Sequence, residues 1–245
     1  MTLPELPETV PECLARSAES ETGRGITVVS EDGTHDFRSY RQIRESADRA
    51  AAAFRLEGLE HLDRLIVALP TGFDFLSAFF GALAAGIVPV PFPAPEEDAE
   101  RAAFRRAVER TGGELDAAGL LHAGNLSGWQ RPGGSGAGPF SLVSEVGALL
   151  EDVPSSITIR EPSTLPEIAY IQMTEGTTAR PRPVELSHRN IVSNVAAIGE
   201  ALEVTDEDVG VSWIPLHNPL GMIGGVCFGI AFGILPALLL LTVLA

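Results

Sequence analysis

The sequence predicts an α/β fold, a mostly parallel sheet flanked by helices, and three observations carry that prediction. Short apolar runs at residues 65–69 and 87–90 are bounded by Arg64, Pro70 and Pro91, as expected of strands buried on both faces. A helical segment, 74–85, stands between them, and strand–helix–strand order favours parallel pairing under a helical layer. A chain of 245 residues is long enough to bury a core and to form one large or two small domains.

Taken in order, the elements begin with a hairpin. Residues 25–29 and 35–37 flank Glu31-Asp32-Gly33-Thr34, whose Asp-Gly pair suits a tight turn. Ser39 then caps a helix in which Ile43, Ala47, Ala50 and Phe54 recur at helical spacing. The strand–helix–strand unit follows, and Pro91, Pro93 and Pro95 end it. Residues 96–111 read as a solvated helix with mixed charge, Leu120-Leu121 as a strand remnant in an eroded region, and 124–138 as a flexible Gly/Ser/Pro loop. Strands at 168–174 and 184–186 bracket a polar loop, and Ser187 is placed to cap a helix over 190–202. His188 reads as structural.

Charge and cysteine content exclude several functions. Seventeen basic against 33 acidic residues leave a net charge of −16, a surface that repels nucleic acid and anionic membrane faces. Cys13 and Cys227 have no paired spacing, so neither a disulfide framework nor a zinc site is expected, and a cytoplasmic setting fits. No basic region followed by an apolar run marks a secretory signal at the start. Residues 222–245 contain no charge, which raises a membrane-spanning tail as an alternative. Gly224, Gly225, Gly229, Gly233 and Pro236 interrupt that run.

The chemistry concentrates in Met173-Thr174-Glu175-Gly176-Thr177-Thr178-Ala179-Arg180-Pro181-Arg182-Pro183-Val184. Hydroxyls and backbone N–H groups in such a loop can surround phosphate oxygens while a cation offsets their charge. The segment resembles the phosphate-gripping loop of adenylate-forming enzymes, Tyr-Thr-Ser-Gly-Ser-Thr-Gly-x-Pro-Lys-Gly-Val. Four of its departures from that pattern matter. Glu175 puts a carboxylate where the family has serine, and like charges at short range are costly. Pro183 replaces a glycine and deletes an N–H. Ala179 replaces another glycine, and Arg182 replaces lysine with a planar fork. An ordinary polar turn is the competing reading of the loop.

Two further segments are similar to the fatty-acyl-AMP ligase branch of that superfamily. Val211-Ser212-Trp213-Ile214-Pro215-Leu216-His217-Asn218-Pro219-Leu220-Gly221-Met222-Ile223-Gly224-Gly225 matches Ser-Trp-Leu-Pro-Leu-Tyr-His-Asp-Met-Gly-Leu-Ile-Gly-Gly without a gap. Asn218 and Pro219 stand where the family has its His-Asp pair, and His217 sits one residue early, so its side chain points elsewhere. Residues 37–54 and 63–93 resemble the opening of the same enzymes.

The resemblance implies acid activation with ATP and Mg2+ to acyl-AMP and pyrophosphate. Thr174, Gly176, Thr177, Thr178 and Arg182 would contact phosphate, and Asn218, Gly221, Gly224 and Gly225 would border the acyl substrate. A carrier protein or coenzyme A would be the acceptor in intact relatives. It also implies a partial AMP-binding domain over 25–245 behind a lead-in, 1–24, without the C-terminal lysine-bearing domain. The motifs for adenine, ribose and magnesium are not found in the sequence, so an inactive or weakly active chain is expected. A non-catalytic remnant that binds acyl chains or a partner, and a membrane-associated protein, are the alternatives.

Overall fold

The computed structural model describes residues 5–20, 22–95, 100–123, 140–151, 153–154, 165–174, 181–205 and 207–239. The chain opens with α1 (Val10–Glu19), whose Val10, Cys13 and Leu14 enter the main core, although 1–24 reads from sequence as a lead-in. The hairpin β1 (Gly25–Val29) and β2 (His35–Ser39) pairs antiparallel, as its turn residues predict. Ser39 caps α2 (Tyr40–Leu56) through a reciprocal capping box with Gln42.

A second layer is built from β3 (Arg64–Ala68), α3 (Phe73–Ala85) and β4 (Val88–Pro91). Helix α3 is apolar all round and is correspondingly buried, with Phe75, Leu76 and Phe79 inside the core. The alanine-rich face of α2 explains how closely the two helices approach: a Cβ on Gly81 would lie 2.6 Å from that of Ala50. Beyond α4 (Arg101–Leu115), the chain forms β5 (Gly119–His122), β6 (Leu142–Glu145) and α5 (Val146–Glu151). The resulting sheet has the order β4-β3-β5-β6 and is parallel throughout.

The expectation of an eroded region with a strand remnant at Leu120-Leu121 is corrected here. Strand β5 is fully buried between β3 and β6, because its four residues carry enough apolar surface to sit in the middle of a sheet. Residues 124–138, read as a flexible loop, lie outside the described residues.

Strands β7 (Ile168–Met173) and β8 (Pro183–Ser187) form an antiparallel pair leading into α6 (His188–Leu202). Ser187 caps α6 with Asn190 closing the reciprocal bond. After β9 (Val209–Ser212) comes a π-helix, Leu220–Cys227, then α7 (Phe228–Phe232) and β10 (Leu235–Leu239).

The uncharged C-terminal run is thus divided. Gly233 takes a left-handed φ of 62°, which ends the helix and reverses the chain. Strand β10 inserts between β1 and β9, giving a second sheet of order β2-β1-β10-β9. Tyr40 Oη donates to Ile234 O at 2.6 Å and Arg24 donates to Gly233 O at 3.0 Å, fixing the turn to α2 and β1. Among the described residues no helix is long and apolar enough to cross a membrane.

Candidate functional site

The two motif segments converge on one cavity. It measures about 620 Å³ and is walled by Gln172, Met173 and Thr174 at the end of β7, Val184 and Leu186 on β8, and the first turns of α6. Asn218, Pro219 and Ile223 close the far side. A groove of about 920 Å³ along α1 and the start of α6 is larger, but it contains none of the phosphate-loop or acyl-segment residues.

Thr174 sits where β7 gives way to the loop. Its N–H donates to Arg182 O, and its Oγ1 accepts from Arg182 N–H, both at 2.9 Å, so the pair clamps the loop's two ends together. Those two N–H groups are consumed by the clamp. Arg182 is exposed at the loop's exit, and Pro183 begins β8 opposite Met173. Gly176, Thr177 and Thr178, with Glu175 and Ala179, lie outside the described residues.

Two contacts tie the acyl-side segment to other elements, and a third braces it internally. Thr71 Oγ1, just after β3, accepts from Leu216 N–H at 3.1 Å. Gln172 Nε2 donates to His217 O at 3.0 Å and to Met173 O at 3.1 Å. Asn218 Oδ1 accepts from Leu220 N–H at 2.9 Å at the start of the π-helix, whose wide winding is common at functional sites. Asn218 therefore both holds Leu220 N–H and lines the cavity.

The glycines of this helix serve different ends. A Cβ on Gly221 would lie 2.5 Å from Pro215 O and 2.6 Å from Ile214 O, so glycine is what lets that loop lie against the helix. Gly224 and Gly225 are half-buried, the latter with ordinary space toward Ser212. From this helix it is Ile223 that faces the cavity, a residue that the glycine pattern drew attention away from. Gln172 was likewise missed, because one amide inside an apolar strand gives no periodic signal.

Among the described residues that wall the cavity none carries a charged side chain. His188 is buried and its Nδ1 accepts from Val10 N–H at 3.3 Å; burial pushes its pKa down to about 4, so it is neutral and structural, as read from sequence. Burial pushes the Cys13 thiol up to about 11 and the Cys227 thiol up to about 12, and both are free. Among the described residues no cluster of His, Cys, Asp or Glu is arranged to hold a metal.

The family description "AMP-binding enzyme" matches residues 14–238. The chain belongs to the AMP-binding enzyme family. It is 31% identical over 179 residues to the long-chain-fatty-acid–AMP ligase FadD32 of Mycolicibacterium smegmatis, covering 73% of this chain and 28% of that protein. It is 26% identical over 193 residues to the medium-chain-fatty-acid–[acyl-carrier-protein] ligase JamA of Moorena producens, covering 77% and 32%. The chain thus spans about a third of the curated relatives it matches.

In fold it is similar to a fatty acyl-adenylate ligase from the study of the E. coli and L. pneumophila enzymes, with a TM-score of 0.80 at 22% identity. That likeness covers 94% of this chain and 41% of the other. The adenylation domain of a keto acid-selecting NRPS module gives a TM-score of 0.81 at 20% identity, over 96% and 42%.

Proposed function

We propose that this chain supplies the acyl-side wall and the phosphate loop of a fatty-acyl-AMP ligase, and that alone it turns over weakly or not at all. The observation that carries the reading is the single cavity joining Thr174 at the loop's mouth to Asn218 and Ile223 on the acyl segment. In the reaction the acid's carboxylate oxygen bonds to the α-phosphorus of ATP as the bond to pyrophosphate breaks. Catalysis of that kind consists mainly of holding two anions in line and offsetting charge.

The chain's own residues divide that work. The apolar walls, Met173, Val184, Leu186, Ile191 and Ile223, take the acyl chain out of water. Thr174, Gly176, Thr177, Thr178 and Arg182 would face the phosphates, and Asn218, Gly221, Gly224 and Gly225 would shape the acyl border. The described residues fit ATP's tail only in part. Arg182 offers a cation, but the clamp occupies two N–H groups and no metal-ligand cluster is present among them for Mg2+. A relative whose name specifies an acyl-carrier-protein acceptor supports a carrier protein as the downstream partner.

A non-catalytic acyl-binding role is the second reading, favoured by Pro183 and Glu175 in the loop. One experiment separates them: the purified chain is incubated with ATP, Mg2+ and fatty acids of graded length, and acyl-AMP and pyrophosphate are measured alongside acid binding. Binding with slow product formation supports the proposal, and binding with no product at all supports the second reading. Robust turnover refutes the inactive part of it, and neither binding nor product refutes the site.

A further inference from the structure

The parallel sheet β4-β3-β5-β6 is wound on both faces. Leu65, Val67 and Leu121 belong to the core that holds α3, whereas their neighbours Ile66, Ala68 and Leu120 belong to the core that holds α4. The chain leaves β3 for β4 on one side and later returns to place β5 on the other. Strand order reverses at that point, and in doubly wound sheets the crevice outside the carboxyl ends there is where ligands bind. A cavity of about 450 Å³ occupies the place, within the size range of small-molecule sites. Thr71 and Gly72 follow β3, His122 ends β5 and Glu145 ends β6, and all four line it. Among the described residues it shares no lining with the cavity between β7 and α6.

The groups gathered in this crevice suit a cation. Asp36, Asp74 and Glu145 line it against one guanidinium, that of Arg38. Arg38 is already engaged, lying 4.3 Å over the Phe73 ring and 3.7 Å from Asp36 in a solvent-exposed pair that holds the carboxylate only weakly. Residues 124–139, which follow Ala123 at the crevice, contain a single charged residue, Arg131, so the acids stay in excess whatever that segment adds. His122 points to a ligand independently of the acids: it is 7% exposed and lines the crevice. Its Nδ1 is closed off from solvent without a partner, so the ring meets the crevice through its other edge, where Nε2 is an acceptor when Nδ1 carries the proton. Burial holds the ring below its usual pKa although Glu145 pulls the other way, so it is neutral and adds no charge against a cation. Among the described residues the acids are not grouped closely enough to hold a metal ion, which suits them to donors spread over an organic molecule.

We propose that this crevice binds a small organic cation, a primary amine or guanidinium, whose charged N–H groups donate to Glu145 and Asp36 while its methylenes lie against Leu69 and Phe73. Charge-assisted donation is about twice as strong as neutral pairing, so the site selects a donor that carries charge. Thr71, which borders the crevice, also holds Leu216 N–H at 3.1 Å, so the cation site adjoins the acyl-side segment without depending on it.

The test titrates the full chain with putrescine and agmatine by calorimetry at low salt, with 1,4-butanediol as the uncharged match for putrescine. Because the chain carries a net charge of −16, diffuse attraction of any cation has to be told apart from a site. At least one amine is expected to saturate at about one equivalent while the diol does not bind, and Glu145→Gln and Asp36→Asn should each weaken that amine about tenfold. Glu200→Gln, exposed and outside the crevice, should change its affinity less than about twofold. Equal weakening by Glu200→Gln and by the crevice variants assigns the binding to the acidic surface at large and overturns the proposal. Binding of the diol as tightly as putrescine overturns it too, as does the absence of saturable binding by either amine. Asp36→Asn changes a largely exposed side chain and decides the matter where Glu145→Gln does not fold, and the wild-type comparison of amine with diol needs no variant.

Discussion

Replacing Gly221 by alanine should destabilise the protein, whereas the same change four residues later should not. Both glycines lie on the π-helix with ordinary negative φ, so backbone conformation does not separate them. Space does. The new methyl at 221 would meet two backbone oxygens at 2.5 and 2.6 Å, which can move only if the loop at 214–215 moves. Overpacking of that kind costs about 1–3 kcal/mol, and alanine's better helix propensity returns about 0.5–1 kcal/mol. The net expectation for Gly221→Ala is a loss of about 1–2 kcal/mol. At 225 the nearest atom is Ser212 Cβ at 3.5 Å, ordinary contact, so the propensity gain stands alone and stability should rise by about 0.5–1 kcal/mol. Urea unfolding followed by circular dichroism reads the difference as opposite shifts in midpoint at constant slope. If Gly221→Ala proves as stable as Gly225→Ala, the close packing of the 214–215 loop on the helix is wrong, and with it the shape assigned to the acyl wall.

Three further outcomes are expected. His188 has a folded pKa near 4 against an ordinary 6.5, so between these values the unfolded chain binds more protons and stability is lost as the pH is lowered. The loss is absent above about pH 6.5 and approaches about 3 kcal/mol near pH 4; His188→Asn, which keeps an acceptor for Val10, should flatten that part of the stability–pH curve, and an unchanged slope would contradict the assignment. Cys13 and Cys227 should resist a disulfide reagent at pH 8 in the native protein and react fully in denaturant, because only the thiolate attacks and burial suppresses it. Reaction of either within seconds in the native state would contradict their burial. Glu175→Ser should tighten ATP binding about fivefold or more by removing a like charge, measured by titration at low salt; no change would mean that the carboxylate does not face the phosphates.

Much of the fold was legible because single residue types forced local outcomes. Ser39 and Ser187 announced their helices by capping, and the apolar run at 65–69 was read as a buried strand, which β3 is. The membrane question could not be settled from composition, since Gly233 and Pro236 are compatible with a bilayer helix as well as with a turn and strand. It took the pairing of β10 with β1 and β9 to explain why so apolar a run is needed. Strand β5 was underread because four residues give too short a pattern, and its identity comes from the neighbours on either side.

The site was legible as motifs and less so as geometry. Thr174, Arg182 and Asn218 were singled out, and the structure places Thr174 and Asn218 on one cavity with Arg182 clamped to Thr174. Gly221 was read as bordering the acyl substrate, while its neighbours show it making room for backbone. Gln172 and Ile223 carried no signal, because what distinguishes them is a partner or a direction fixed only by tertiary contact.

The most direct test of the acyl cavity is photolabelling with a fatty acid bearing a diazirine along its chain, followed by peptide mapping. The account predicts labels on Met173, Val184, Leu186, Ile191 or Ile223, suppressed by excess unmodified acid. Labels confined to the exposed Val209, Val211 and Trp213, with the cavity residues untouched, would contradict it.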